Sequence, residues 1–159
     1  VKALLFSASR SIGDTAQGYA WGRDQVLSLL LARFDLVLTS GVRGPEVWME
    51  REAFLWGVQV VVFHADGRRV DSRGKGPIRW LPDTLSPTGT RLRDEALATA
   101  ATRAVQAGWS VTCVGLLDAS DGERSGTAHR LRVLESRGLP THRIFWGHAP
   151  AEAAPVAAE

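Results

Sequence analysis

A chain of 159 residues, 45% of them hydrophobic, is long enough for one domain with a substantial core. Its formal charge of +2 is too small to make the whole surface a nucleic-acid magnet, although nearly all its cations are arginines, only Lys2 and Lys75 being lysines. The single cysteine, Cys113, excludes an internal disulfide framework, and no apolar run reaches the roughly 18 residues of a membrane span.

"KALLFSAS" (2–9) is a short apolar run ending in small polar residues, the pattern of a buried parallel strand. Val26, Leu29 and Leu30 then mark one face of a helix. "FDLVLTS" (34–40) reads as a second buried strand, and Pro45 suits the first turn of the helix after it. Trp48, Met49, Ala53 and Trp56 recur at helical spacing before Gly57 closes the segment. "VQVVVFHA" (58–65) is a third strand, rich in β-branched residues. Residues 66–88 show no periodicity and carry Arg68, Arg69, Arg73, Lys75 and Arg79 among prolines and glycines, which predicts a long binding loop or lid. Between Gly89 and Gly108 a helix is expected with Ala96, Leu97, Ala100, Ala104 and Ala107 on one face. "WSVTCVGLLD" (109–118) is a fourth strand, 125–138 a helix capped by Ser125 and closed by Gly138, and "PTHRIFW" (140–146) a fifth strand. Strand and helix alternate throughout, which predicts an α/β fold: a five-stranded, mainly parallel sheet with helices on both faces, one domain over 1–147. Residues 148–159 read as an Ala/Pro-rich flexible tail.

In such a sheet ligands sit beyond the carboxyl ends of the strands. Three turns are expected there. They are Ser7, Ser9 and Arg10 after the first strand; Ser40, Gly41, Arg43 and Gly44 after the second; and Arg124, Ser125, Gly126 and Thr127 after the fourth. Each joins small residues, which let a ligand approach the backbone, to an arginine that can pair a phosphate. The two later turns lead into helix N-termini, whose free N–H groups favour anions. In the second turn Arg43 is expected to carry much of the anion's charge, because Pro45 has no N–H to offer. Glu46 is expected to point toward a ribose hydroxyl or to lie beside Arg43.

These turns, with "HADG…GKGPIR" after the third strand, resemble the SLOG superfamily, and more narrowly its YspA/YpsA-related branch, over about residues 3–146. Ser40, Gly41, Arg43 and Gly44 match that family's second turn, and Gly76, Pro77 and Arg79 its later Gly-Pro-x-Arg stretch. Pro45-Glu46 stands where the family has Ala-Asp, Trp80 where it has Asn, and Arg91 or Arg93 in "RLRDEA" is the alternative counterpart of the family arginine. The resemblance implies a single Rossmann-like domain that binds a nucleotide or nucleotide-derived phosphate ligand, as a sensor or binding module. The related phosphoribohydrolases carry Gly-Thr-x-x-Glu. Here Gly126-Thr127 keeps the Gly-Thr and Arg130 takes the glutamate's place, so that the acid of a nucleotide N-glycosidase is missing unless Glu46 or Glu50 replaces it. The DNA-processing branch, which resembles DNA-processing protein A, implies single-stranded nucleic-acid binding. That is expected to be weak here, since Trp80 alone accompanies the basic run.

The remaining candidates have plainer readings. Cys113 lies in a strand, where a thiol packs inertly. His64, His129, His142 and His148 lack metal-ligand spacing, so no metal and no cofactor is expected; His64, closing the third strand, is the one placed near a ligand. Trp48 and Trp56, two helical turns apart, are candidates for a homodimer face. "VKALLFSASR" lacks the form of a signal peptide, and a cytoplasmic location is expected.

Overall fold

A computed structural model describes residues 1–63, 69–71, 90–122 and 125–147. In chain order the elements are β1 (Lys2–Ala8), a short 3-10 turn (Arg10–Asp14), α1 (Ala16–Leu31), β2 (Leu36–Thr39), α2 (Pro45–Leu55), β3 (Gln59–Phe63), β4 (Arg69–Asp71), α3 (Thr90–Gln106), β5 (Ser110–Asp118), α4 (Gly126–Ser136) and β6 (Thr141–Trp146). The sheet runs β4-β3-β2-β1-β5-β6. Five strands pair in parallel, and β4 joins the edge antiparallel to β3. The alternation of strand and helix thus yields the expected single Rossmann-like sheet. The strand at 69–71 lies within the segment that showed no periodicity, and three residues are too few to display one.

The apolar runs have no polar alternation because both faces of the sheet are covered. Along β1, Ala3 and Leu5 pack on one side and Leu4, Phe6 and Ala8 on the other. Leu36 and Leu38 oppose Val37 in β2, and Val61 and Phe63 oppose Val60 and Val62 in β3. The first face meets Leu97, Ala98, Ala100 and Ala101 of α3 and Ala128, Leu131 and Leu134 of α4. The second meets Val26 and Leu30 of α1 and Met49 and Ala53 of α2. Ala107, expected on the buried face of α3, falls beyond its end and is exposed, where Gly108 turns the chain at φ +92°. Cys113 is buried in β5, and burial pushes its thiol up to about 12, which keeps it protonated and inert.

Trp48 does not join Trp56 on an outer face. It packs against the α1–α2 core, with its ring edge-on to Tyr19 at 4.6 Å between centroids. A Cβ on Gly22 would lie 2.7 Å from that indole, so the glycine is what lets α1 and the Trp48 ring approach. Trp56 is left exposed beside Phe54 and Leu55. Among the described residues no helix is long and apolar enough to cross a membrane.

The topology places one crevice. From β1 the chain builds outward through β2 and β3, and α3 then brings it back to β5 on the other side of β1. The carboxyl ends of β1 and β5 therefore diverge into loops that leave in different directions, which is the ligand position of open α/β sheets. Ser9 N–H donates to the Leu116 carbonyl at 2.8 Å and fixes the two strand ends together.

Candidate functional site

A cleft of about 700 Å3 lies at that switch point. Ala8, Ser9, Arg10 and Ser11 line it from the end of β1, and Val42 and Glu46 from the β2–α2 connection. Arg93 enters from α3, Ser120 and Asp121 from the turn after β5, and Ser125, Gly126, Thr127 and Arg130 from the start of α4.

The floor is a buried knot around Arg130. Its Nη1 donates to Ser7 Oγ at 2.6 Å and to Glu46 Oε2 at 3.1 Å, while Nε donates to Asp94 Oδ1 at 2.8 Å. One guanidinium thus joins β1, α2 and α3 to α4. Glu46 is fully buried and accepts all round: from Thr39 Oγ1 at 2.9 Å, Ser40 N–H at 3.0 Å, the Ser40 hydroxyl and Ala8 N–H at 3.2 Å, besides Arg130. A carboxylate has about four acceptor sites, so these five donors leave none for a ligand.

The charges follow from those contacts. Burial by itself would raise the Glu46 carboxyl, but the Arg130 charge and the donors from Ser40, Thr39 and Ala8 outweigh it and hold the group below the usual carboxylate range. Burial would likewise lower Arg130, and Glu46 and Asp94 together raise it above its ordinary value. The pair is locked in its charged form. Such a pair is weak evidence of net stability, yet removing one partner strands a buried charge at a cost of about 3–5 kcal/mol. The exposed Arg143–Glu135 pair, at 2.6 Å, is worth about 0–1 kcal/mol by comparison.

Arg93 is in a different position. Its side chain is only 10% exposed, and its one hydrogen bond among the described residues is a long contact from Nε to Asp94 Oδ1 at 3.4 Å. Burial first, then the neighbouring Arg130 charge, pull it below the usual guanidinium range against the opposing pull of Asp94 and Glu46. Both Nη groups remain for a ligand. Arg10 lines the same cleft, exposed and without a hydrogen bond or ion pair among the described residues. The Nη2 group of Arg130 is likewise uncommitted among the described residues.

The start of α4 completes the donor set. Ser125 Oγ caps the helix by accepting from Ala128 N–H at 3.0 Å, and the Ser125 carbonyl accepts from His129 N–H. The N–H groups of Gly126 and Thr127 are left as the orphan donors of a helix end. Nothing lies within 4 Å of where a Gly126 Cβ would stand, so the backbone there is open to the cleft. Three guanidinium groups and the N-terminus of α4 therefore border one cleft, a donor set of the kind that suits a phosphate or carboxylate.

The sequence-predicted site residues that the structure describes divide three ways. Ser9, Arg10, Glu46, Ser125, Gly126 and Thr127 line the cleft. Ser7 and Ser40 lie beneath it, spent on Arg130 and Glu46. Gly41, Arg43 and Gly44 do not line it. Gly41 and Gly44 adopt φ of +68° and +98°, and a Gly44 Cβ would lie 3.2 Å from the Arg10 carbonyl oxygen. Their small size therefore serves the turn and its close approach to the 3-10 turn. Arg43 is exposed, with no hydrogen bond or ion pair among the described residues. Glu46 points neither outward to a hydroxyl nor toward Arg43 but inward to Arg130, because α2 carries it under the strand ends. Arg79, His64 and most of the 66–88 segment lie outside the described residues, as do Arg124 and residues 148–159.

Nothing in the sequence singles out Asp94, Ser11, Ser120, Asp118 or Asp121 for the site, and it distinguishes Arg130 only as standing where a glutamate belongs. The one sequence signal for the knot was that charge exchange, an arginine in a helix's first turn and a half against a glutamate at the start of another helix. Among the described residues no group of three His, Cys, Asp or Glu side chains is arranged to hold a metal ion. Comparison with protein-family models, with curated proteins and with solved structures finds no match.

Proposed function

We propose that this chain is a binding module for a nucleotide or nucleotide-derived phosphate ligand, held at the carboxyl ends of β1 and β5. The observation that carries the reading is Arg93: a side chain only 10% exposed, beside another cation, with both Nη groups uncommitted among the described residues. A buried cation so placed is stabilised by an anion, and the N-terminus of α4 and Arg10 converge on the same space. The resemblance of the strand-end turns to the SLOG superfamily is what extends phosphate to nucleotide.

Binding is favoured over N-glycosidic hydrolysis because Glu46 and Glu50, the carboxylates that could replace the missing glycosidase acid, are not available for it. A glycosidase needs a carboxyl that can exchange a proton or attack. Glu46 is saturated with donors and held ionised, and Asp94 is engaged by Arg130 and Arg93. Glu50 is not among the cleft's lining residues. Single-stranded nucleic acid fits less well, because the formal charge is only +2 and Trp80 alone accompanies the basic run. A thermal-shift screen with nucleoside monophosphates, ADP-ribose-like compounds and a short oligonucleotide tests this. A ligand at 100 times its dissociation constant stabilises the fold by about 2.7 kcal/mol. Stabilisation by the first two classes and not by their dephosphorylated counterparts is expected; stabilisation by the oligonucleotide alone would transfer the site to nucleic acid.

A further inference from the structure

The cleft has a second wall of opposite chemistry. Ser11 and Ser120 line it together with Asp121, and all three are tied to Asp118 at the end of β5 or to one another. Ser11 Oγ lies 2.9 Å from Asp118 Oδ2 and 3.1 Å from Asp121 Oδ2, so its single proton is committed to these carboxylates. Ser120 donates both its hydroxyl, at 2.7 Å, and its N–H, at 3.0 Å, to Asp118 Oδ1. Burial works against the charged form of Asp118, and the donors from Ser120 and Ser11 overcome it, holding this carboxyl below its usual range.

Counting donors gives the consequence. Ser11 and Ser120 have spent their protons inward, and Asp121 is a carboxylate with Oδ1 uncommitted among the described residues. Ser11, Ser120 and Asp121 thus offer lone pairs and no side-chain protons, while Ser9 beside them, whose Oγ accepts from Asp118 N–H at 3.4 Å, keeps its hydroxyl proton among the described residues. The arginines and the α4 N-terminus offer protons and no lone pairs. A ligand that satisfies both must carry an anion at one end and several hydrogen-bond donors at the other. An inorganic anion satisfies only the first wall, and a dianion spanning the cleft would meet the Asp121 charge. Glu46, the acid that sequence reasoning assigned to a ribose hydroxyl, is consumed by the floor, and Asp121 is the carboxylate left to do that work.

We propose that the cleft recognises a phosphorylated sugar, with phosphate on Arg10, Arg93 and the α4 N-terminus and neighbouring sugar hydroxyls donating to Asp121 and to the oxygens of Ser11 and Ser120. The proposal rests on the phosphate-binding reading above and goes further by naming the sugar hydroxyls as the second recognised group and Asp121 as their acceptor. Asp121 is exposed on a turn, so Asp121→Asn is expected to fold as the wild type does.

Calorimetric titration with four probes separates the two claims: inorganic phosphate, ethyl phosphate, phosphoethanolamine and ribose 5-phosphate. Wild type is expected to bind ribose 5-phosphate about tenfold or more tighter than ethyl phosphate, as a site built to accept from hydroxyls rejects an analogue lacking them. Asp121→Asn is expected to remove most of that advantage while binding inorganic and ethyl phosphate no more weakly than wild type, since a negative charge is taken out of the cleft. Equal affinity of wild type for ribose 5-phosphate and ethyl phosphate overturns the sugar inference and leaves the phosphate site standing. An advantage that survives Asp121→Asn overturns the role of Asp121. A gain for phosphoethanolamine without one for ribose 5-phosphate makes the second group an ammonium and also overturns the proposal. Failure of all four probes to bind overturns the phosphate site itself.

Discussion

Arg43 stands exposed on its turn with no partner among the described residues, whereas Arg93 keeps only a tenth of its side chain in solvent and lines the cleft. From sequence the two are alike, each an arginine near a helix start, and Arg43 has the more suggestive neighbours. Burial separates them, because a hydrogen bond from a desolvated guanidinium to an anion is worth more than one made in water. Glu46 illustrates the opposite error. Its place in the first turn of α2 suggested a group facing the ligand, yet it is fully buried and saturated. Glu46→Gln keeps the shape but leaves Arg130 with half its counter-charge, and chemical denaturation should show a loss of about 3–5 kcal/mol. A loss under about 1 kcal/mol, the value of an exposed pair, would mean the knot is solvated.

At the scale of the element, α2 and α4 both begin at strand ends, and only α4 offers its N-terminus to the cleft. The first turn of α2 is closed by Pro45, which has no N–H, and by the carboxylate of Glu46 lying under it. The Ser-Gly-Val-Arg-Gly turn before it is shaped by the Arg10 backbone. Gly44→Ala adds a Cβ 3.2 Å from the Arg10 carbonyl oxygen at a φ of +98°, and a loss on the order of 1–3 kcal/mol is expected in thermal or denaturant unfolding. Ser125→Ala removes the α4 cap and should cost about 1 kcal/mol by the same measurement. The five parallel strands were legible because strands buried on both faces are written as continuous apolar runs, and the helices because Pro45, Ser125 and Gly138 punctuate them. β4 was not, since its three residues carry no period. The site was half legible for a related reason. Small residues at strand ends announce turns from local geometry, but the Glu46–Arg130 contact spans 84 residues and exists only once α2 and α4 are packed on opposite faces of the sheet.

For the whole molecule, the Arg130 knot beneath the cleft makes folding pH-dependent. The Glu46 carboxyl is held below its unfolded value of about 4.3, so the stability it supplies is present in full above that pH and is lost as pH falls through the lower folded value. Acid unfolding of wild type should therefore steepen below about pH 4.3, and Glu46→Gln, though less stable at neutrality, should show a shallower slope in that window. Parallel slopes for the two proteins would place the acid sensitivity elsewhere. The central claim is that this cleft, and not the glycine turn before α2, holds the ligand's phosphate. Its most direct test is one calorimetric titration of a nucleoside 5'-monophosphate into wild type, Arg93→Met and Arg43→Ala side by side. The account predicts that Arg43→Ala binds as wild type does and that Arg93→Met loses about 1.5–3 kcal/mol, the value of a hydrogen bond to a charged group. Loss of binding in Arg43→Ala with full affinity in Arg93→Met would contradict it.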